Sequence, residues 1–389
     1  MTTRSDKAIS IPRNPFHPTF GRSPAIIGGR DVELDSFELA LAEGPGNPWR
    51  TALISGTRGI GKTVLLNEFE AAAKQLGWIV LRAHIGSEMI SELTDVTIPR
   101  AFSAIDSAPT GKGRHLTGLS IAGIGGFKTE VSTSQPEPGR NLLSQLQDLS
   151  ALLMPQGSGI LLTLDEVQSA EPAQLNEIAH AIQDLNRDDA EIAFVAAGLP
   201  SGIEDLLQLE GATFLRRAER VSLGRLDVET TKDIIRRTAE LGERAMTEDA
   251  VELAAELSHG YPYLIQTIGS VAWAKARLAH SDTITAQHVS DAAAESIRRI
   301  GLQVHAPSLR KVSPRQIDFL KAMARLSPNG KPVATSVIAE TMGRKLSGIS
   351  QLRHDLIYRE LIVSASTGYV EFTLPYFCLL YTSPSPRDS

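Results

Sequence analysis

The chain has 389 residues, 42% of them hydrophobic and 22% charged, with a net charge of −6. That length exceeds one ordinary domain, and the composition supplies ample material for a globular core. A single cysteine, Cys378, excludes a disulfide framework and any thiolate metal site. No run of about 18 apolar residues marks a membrane span.

The N-terminal "MTTRSDKAISIPRNPFHPTF" has no apolar signal core, so the expected location is the cytoplasm, with no membrane partner. Residues 1–22, rich in proline and polar groups, are expected to run extended over the surface. From 23 to 226, short apolar runs alternate with helical patterns. "RTALIS" (50–55), "WIVLRAHI" (78–85), "GILLTLD" (159–165), "EIAFVAAG" (191–198) and "ERVSLGRL" (219–226) read as strands covered on both faces. "GKTVLLNEFEAAAKQLG" and "EPAQLNEIAHAIQDLN" read as helices between them, so the expected fold is α/β, a doubly wound parallel sheet. Within it, residues 110–140 read as an inserted β-hairpin around Gly125-Gly126. Lys112, Arg114 and Lys128 in that insert are either partner contacts or a solvated surface.

Residues 227–303 read as helical throughout, with Gly242 and Gly260 as stops after the first two helices. "QVHAPSLRKVSP" (303–314) reads as a linker. The region 304–377 then gives a helix capped by Ser313 with Pro314 in its first turn, a helix–turn–helix and a hairpin turning at Thr367-Gly368. Val337, Ile338, Met342, Ile349, Leu352, Leu356 and Ile357 supply its apolar faces. Between His305 and Phe377 ten Lys/Arg stand against five Asp/Glu, a basic module on an acidic chain. The final "CLLYTSPSPRD" (378–388) is what a common transposase sequencing adapter yields when translated in one frame. Residues 378–389 are therefore expected to be an artefact, the natural protein being truncated near Phe377.

Two motifs carry chemistry. "GTRGIGKT" fits G-x-x-x-x-G-K-[ST] through Gly56, Gly61, Lys62 and Thr63, between a strand and a helix. Glycines let backbone N–H groups converge on an anion, and the helix N-terminus adds its partial positive charge. Gly56, Thr57, Arg58, Gly59, Ile60, Gly61, Lys62, Thr63 and Val64 are thus expected to hold the phosphates of ATP or ADP, with Lys62 on the β- and γ-phosphates and Thr63 on Mg²⁺. "GILLTLDEVQ" places Asp165 and Glu166 at a strand end, Asp165 for the Mg²⁺ shell and Glu166 for the attacking water.

With these motifs the chain, over about 15–377, resembles the AAA+ class of P-loop ATPases, in the branch similar to origin-recognition ATPases that shades into the STAND signalling ATPases. "IIGGRDVEL" (26–34) looks like the branch's Gly-Arg box near the adenine, which implies roles for Gly29 and Arg30. "HGYPYLIQ" (259–266) is similar to its lid motif, which implies one for Pro262. The resemblance implies an α/β nucleotide-binding domain (23–226), an all-α lid (227–303) and a winged helix-turn-helix (304–377). It also implies an arginine finger reaching a second subunit, for which Arg220 is favoured over Arg216 and Arg217. Two departures put fast hydrolysis in doubt. Ala196 and Ala197 stand where many relatives carry a polar sensor, and Gly260-Tyr261-Pro262 stands where many supply an arginine. The winged helix implies double-stranded DNA as a partner through 313–375, with Gln351, His354, Ser347 and Ser350 toward bases and Arg344, Lys345 and Arg353 toward phosphates. A STAND-like switch whose winged helix binds protein is the alternative.

Overall fold

The computed structural model of the chain describes residues 13–19, 21–106, 141–310, 312–327 and 330–379. The expected hairpin at 110–140, with Lys112, Arg114 and Lys128, lies outside these residues, as does the terminal run after 379. The described residues form two compact units. One is Arg30–Gly224 with Ile357–Glu360, and the other draws on Met1–Gly29, Arg225–Leu356 and Leu361–Ser389. Among the described residues no helix is long and apolar enough to cross a membrane.

The α/β unit runs α1 (Asp31–Glu43), β1 (Thr51–Ser55), α2 (Lys62–Gln75), β2 (Ile79–Ala83), α3 (Met89–Glu92), α4 (Ile98–Asp106), α5 (Leu142–Leu153), β3 (Ile160–Leu164), α6 (Pro172–Arg187), β4 (Ile192–Gly198), α7 (Pro200–Gln208) and β5 (Glu219–Ser222). Its strands form one parallel sheet in the order β2-β3-β4-β1-β5. β3 and β4 are buried at every position, as unbroken apolar runs require when helices cover both faces. β5 is shorter than its sequence pattern and buries only Val221, because it is an edge strand. The register places the site. Ser55 of β1 pairs with Gly198 of β4, and Leu164 of β3 pairs with Ala196. The turns after β1 and β3 therefore leave the same end of the sheet, one on each side of β4. Glu70 of α2 locks that helix down: its buried carboxylate accepts from the Thr163 hydroxyl at 2.8 Å and pairs with the Arg82 guanidinium. A carboxylate so deep in a core is tolerable only with such partners.

The second unit opens with residues 13–19. They do not merely run over a surface: Phe16 is buried with its ring against Gly269, where a Cβ would meet it at 2.3 Å. Asn14 Nδ2 donates to the Ser270 carbonyl at 2.9 Å, and His17 N–H donates to the Gln266 side chain at 2.9 Å. Four helices follow, α8 (Val228–Leu241), α9 (Glu248–Ser258), α10 (Pro262–Leu278) and α11 (Ala286–Ile300). Between them β6 (Ala245–Met246) and β7 (Thr283–Ile284) pair in parallel, so this region is not helical throughout. Two residues per strand are too few for a period to show.

Gly242 does stop α8 as expected, though not through a left-handed backbone. Its φ is −89°, and Glu243 takes the left-handed turn at φ 56° instead. The glycine serves close approach, since a Cβ there would meet the Pro15 ring at 2.6 Å. Gly260 does take a left-handed φ of 66°, after His259 at 51°. Its backbone exchanges with Leu226, whose N–H donates to the Gly260 carbonyl at 2.8 Å, and a Cβ would lie 2.1 Å from the Leu226 oxygen. Gly260→Ala is therefore expected to destabilise this unit by about 2 kcal/mol or more, read as a lowered thermal midpoint. An unchanged midpoint would show that the backbone contact yields freely.

The 303–314 stretch is no open linker. Gly301–His305 continues α11 as a π turn, α12 (Ala306–Ser308) follows, and Val304 and His305 are buried. The His305 ring meets Phe377 edge-on at 5.0 Å, donates to the Pro375 carbonyl, and is pushed down to about 4 by burial. Then come α13 (Pro314–Leu326), β8 (Val333–Ala334), α14 (Thr335–Thr341), α15 (Ser350–Tyr358), β9 (Ile362–Ser366) and β10 (Tyr369–Phe372), with the small sheet ordered β8-β10-β9. Ser313 and Gln316 form a capping box on α13. Gly368 turns the hairpin at φ 80°. Three helices with this small sheet are consistent with the expected winged helix, except that Val337 of the expected apolar face is exposed.

Candidate nucleotide-binding site

The loop after β1 is shaped by its glycines. Gly59 and Gly61 take φ of 76° and 104°, and Gly61 caps α2. Gly56 is needed for space, since a Cβ would meet Ile60 at 2.7 Å and the Leu223 carbonyl at 3.1 Å. Ile60 and Lys62 are buried, Thr57, Gly59, Thr63 and Val64 half-buried, and Arg58 exposed. Lys62 Nζ turns back onto its own loop, donating to the Gly56 carbonyl at 2.8 Å and the Thr57 carbonyl at 3.1 Å. Burial holds its ammonium below the usual lysine range, against the raising fields of Glu166, Glu360 and Asp165.

Across β4, Asp165 follows β3. The Thr63 hydroxyl donates to Asp165 Oδ2 at 2.7 Å, and Asp165 Oδ1 accepts from the Glu166 N–H at 2.8 Å. Burial raises the Asp165 carboxyl above its ordinary range, while those two bonds favour its charge. Hydroxyl and carboxylate oxygens side by side at a helix N-terminus are the hard donor set that Mg²⁺ takes, and converging loop amides suit phosphate. The residues present therefore fit both groups.

One residue here was not legible as a motif. Glu166, at φ 57°, accepts a hydrogen bond from Gln168 Nε2, and Gln168 Oε1 accepts from the Leu199 N–H at 2.9 Å. Gln168 thus ties Glu166 to the segment after β4. Gly198 and Gly202 make room for it, since a Cβ at Gly202 would stand 2.4 Å from the Gln168 Cβ. Ala196 and Ala197, at the expected sensor position, are both buried within β4.

The other expected residues lie in different places. Arg30 caps α1 and donates to the Gly224 carbonyl at 2.8 Å. Arg220 lies within β5, exposed, and donates to the Leu215 carbonyl at 3.2 Å. Gly29 and Pro262 belong to the other unit. There Gly29, at φ 69°, packs on Thr230 and Leu226, and Pro262 opens α10. In the C-terminal region, Arg344, Lys345, Ser347, Ser350, Gln351 and His354 are exposed. Arg353 donates to Ser364 Oγ at 2.7 Å, and Gln351 donates to Asp355 at 2.7 Å. Arg353 thus braces α15 against the hairpin, and Gln351 is already engaged.

The tetrapeptide Ile357–Glu360 packs as part of the α/β unit. Tyr358 donates its hydroxyl to Asp205 Oδ2 at 2.7 Å. Glu360 ends the α15 turn in the left-handed region, φ 58°, with its N–H on the Ile357 carbonyl at 2.8 Å.

Comparison with known proteins agrees with this geometry. Residues 27–195 match the family model of the AAA ATPase domain, and residues 302–378 match a domain of unknown function, DUF8462. No curated protein matches the chain. Among solved structures, a Walker-type ATPase of Pyrococcus abyssi is similar with a TM-score of 0.64 at 18% identity, over 92% of this chain and 96% of that one. The ORC2 protein of Aeropyrum pernix, solved as ADPNP–ADP complexes, is similar with a TM-score of 0.64 at 16% identity, over 94% and 96%. The parallel sheet with its flanking helices has the AAA+ fold of these solved structures, and residues 27–195 of this chain are similar to the AAA ATPase domain.

Proposed function

We propose that this chain is a slow, Mg²⁺-dependent ATPase that couples its nucleotide state to binding of double-stranded DNA through residues 313–375. The observation that carries the nucleotide half is the Thr63–Asp165 hydrogen bond beside Lys62, which joins two Mg²⁺ donors from separate motifs. Thr63 and Asp165 would hold Mg²⁺ there, and the ion would supply positive charge against the phosphates. In this reading the Lys62 ammonium leaves the Gly56 and Thr57 carbonyls for the β- and γ-phosphates. Glu166, oriented by Gln168, takes the proton of the attacking water. Gly29, Arg30 and Pro262 serve the base, and Arg220 reaches the nucleotide of a second copy. The apolar Ala196 and Ala197 are the reason to expect slow turnover.

The DNA half rests on the excess of five positive charges over 305–377 and on exposed Arg344, Lys345 and His354 around α15. Anisotropy with a labelled duplex is expected to show affinity falling steeply with salt, and Arg344→Ala or Lys345→Ala to lower the log–log slope by about 1 each. Absent or salt-insensitive binding would leave the second reading, a STAND-like switch whose winged helix binds protein. Gly260-Tyr261-Pro262 at the start of α10 favours that reading.

A further inference from the structure

A glutamate that takes a proton from water works only while its carboxylate faces that water, and the bonds of its side chain leave it free to turn away. Glu166 is half-buried just after β3, and it stands in the left-handed region although it is no glycine. Gln168, in the 3₁₀ turn Val167–Ser169 that follows, holds it at one end and the backbone after β4 at the other. Its amide offers two donors and an acceptor. One donor goes to Glu166, and the acceptor takes the N–H of Leu199, the residue that caps α7. The seat is cut to this side chain. Neither Gly198 nor Gly202 has a left-handed backbone, so room rather than conformational freedom accounts for them. A Cβ at Gly202 would stand 2.4 Å from the Gln168 Cβ and 2.9 Å from its backbone N and Cα, and one at Gly198 would stand 2.9 Å from its Oε1. Gly202 lies inside α7, where glycine costs about 1 kcal/mol against alanine, so the helix gives up stability to admit Gln168. β4 ends in Ala196, Ala197 and Gly198, none of which has a polar side chain. That strand and its exit reach Glu166 through a backbone N–H, and Gln168 makes the link.

We propose that Gln168 is the positioning residue of the hydrolytic step: anchored on the Leu199 N–H and admitted by Gly198 and Gly202, its amide sets the direction of the Glu166 carboxylate. This inference rests on the reading of Glu166 above as the group that takes the proton. In that step the water oxygen bonds the γ-phosphorus as its proton passes to Glu166, and the bond from that phosphorus to the β-phosphate's bridging oxygen breaks, leaving ADP and phosphate. Gln168 engages one carboxylate oxygen and leaves the other to face the water, while the Leu199 bond keeps the amide from turning with its partner. The rate of the step therefore depends on the backbone at the start of α7, a helix outside both sequence motifs. Affinity for ATP does not, since it draws on Lys62 and the amides of the loop.

The test measures single-turnover phosphate release and equilibrium ATP binding on the full chain with Mg²⁺. Gln168→Met keeps the length and the neutrality of the side chain and removes both bonds. It is expected to slow hydrolysis by about 10- to 100-fold with ATP affinity held within about threefold. Gly202→Ala puts a methyl into the seat while favouring the helix, so it is expected to slow hydrolysis in the same direction and serves if Gln168→Met does not fold. In a Glu166→Gln background, Gln168→Met is expected to change hydrolysis by less than about threefold, because a residue that acts through Glu166 has nothing left to act on. A side chain that only supports the fold would cause its full loss again in that background, and that result overturns the proposal. Parent-rate hydrolysis in both Gln168→Met and Gly202→Ala, beside a slow Glu166→Gln, also overturns it and leaves Glu166 standing. Parent-rate hydrolysis by Glu166→Gln overturns the reading on which it rests, and no hydrolysis by the parent protein overturns the ATPase reading itself.

Discussion

Lys62→Ala is expected to lower ATP affinity by about 100-fold or more while leaving the fold intact. The ammonium is the charged donor of the loop, and hydrogen bonds from a charged group to phosphate oxygens contribute about 1.5–3 kcal/mol each. Two such contacts to neighbouring phosphates convert to at least that loss in affinity. The fold should survive because, among the described residues, Lys62 bonds to carbonyls of its own loop, and its removal also takes away a buried charge. Calorimetric titration reads the affinity directly. Thermal melts supply a second check: added ATP should raise the midpoint of the parent protein and leave that of the variant unmoved. A variant that still binds ATP at near-parent affinity would remove the loop from the nucleotide site.

Glu166→Gln is expected to separate binding from turnover. The substitution keeps side-chain length and the contact with Gln168, whose amide has both a donor and an acceptor to offer. It takes away the ability to accept a proton from water. Hydrolysis should fall by about 10²- to 10⁴-fold with ATP affinity preserved within a few-fold, measured as single-turnover phosphate release beside equilibrium binding. Hydrolysis at the parent rate would assign the proton to another group.

The phosphate loop and the Asp165-Glu166 pair were legible because their chemistry demands adjacent residue types at fixed spacing, and because the strands before them are unbroken apolar runs. Gln168 carries no such mark. Its role comes from Leu199, 31 residues away, and from two glycines that leave space for it. Local pattern also misled at 303–314, where Pro307 and polar residues resemble a loop. Proline is tolerated in the first turn of α12, and Val304 and His305 find apolar cover. Val337 shows the converse error: an apolar residue at helical spacing that the small wing leaves uncovered.

The seat of Phe16 has a practical corollary. A benzene ring pressed onto Gly269 is a plug, and the groove that receives it exists only because that position lacks a side chain. Trimming the leader to begin at the sheet would leave a ring-sized hole in the middle of the helical bundle, and a bulkier residue at 269 would expel the same plug from the other side. Pro15 and Phe16 of that polar-looking stretch thus belong to the interior of the unit.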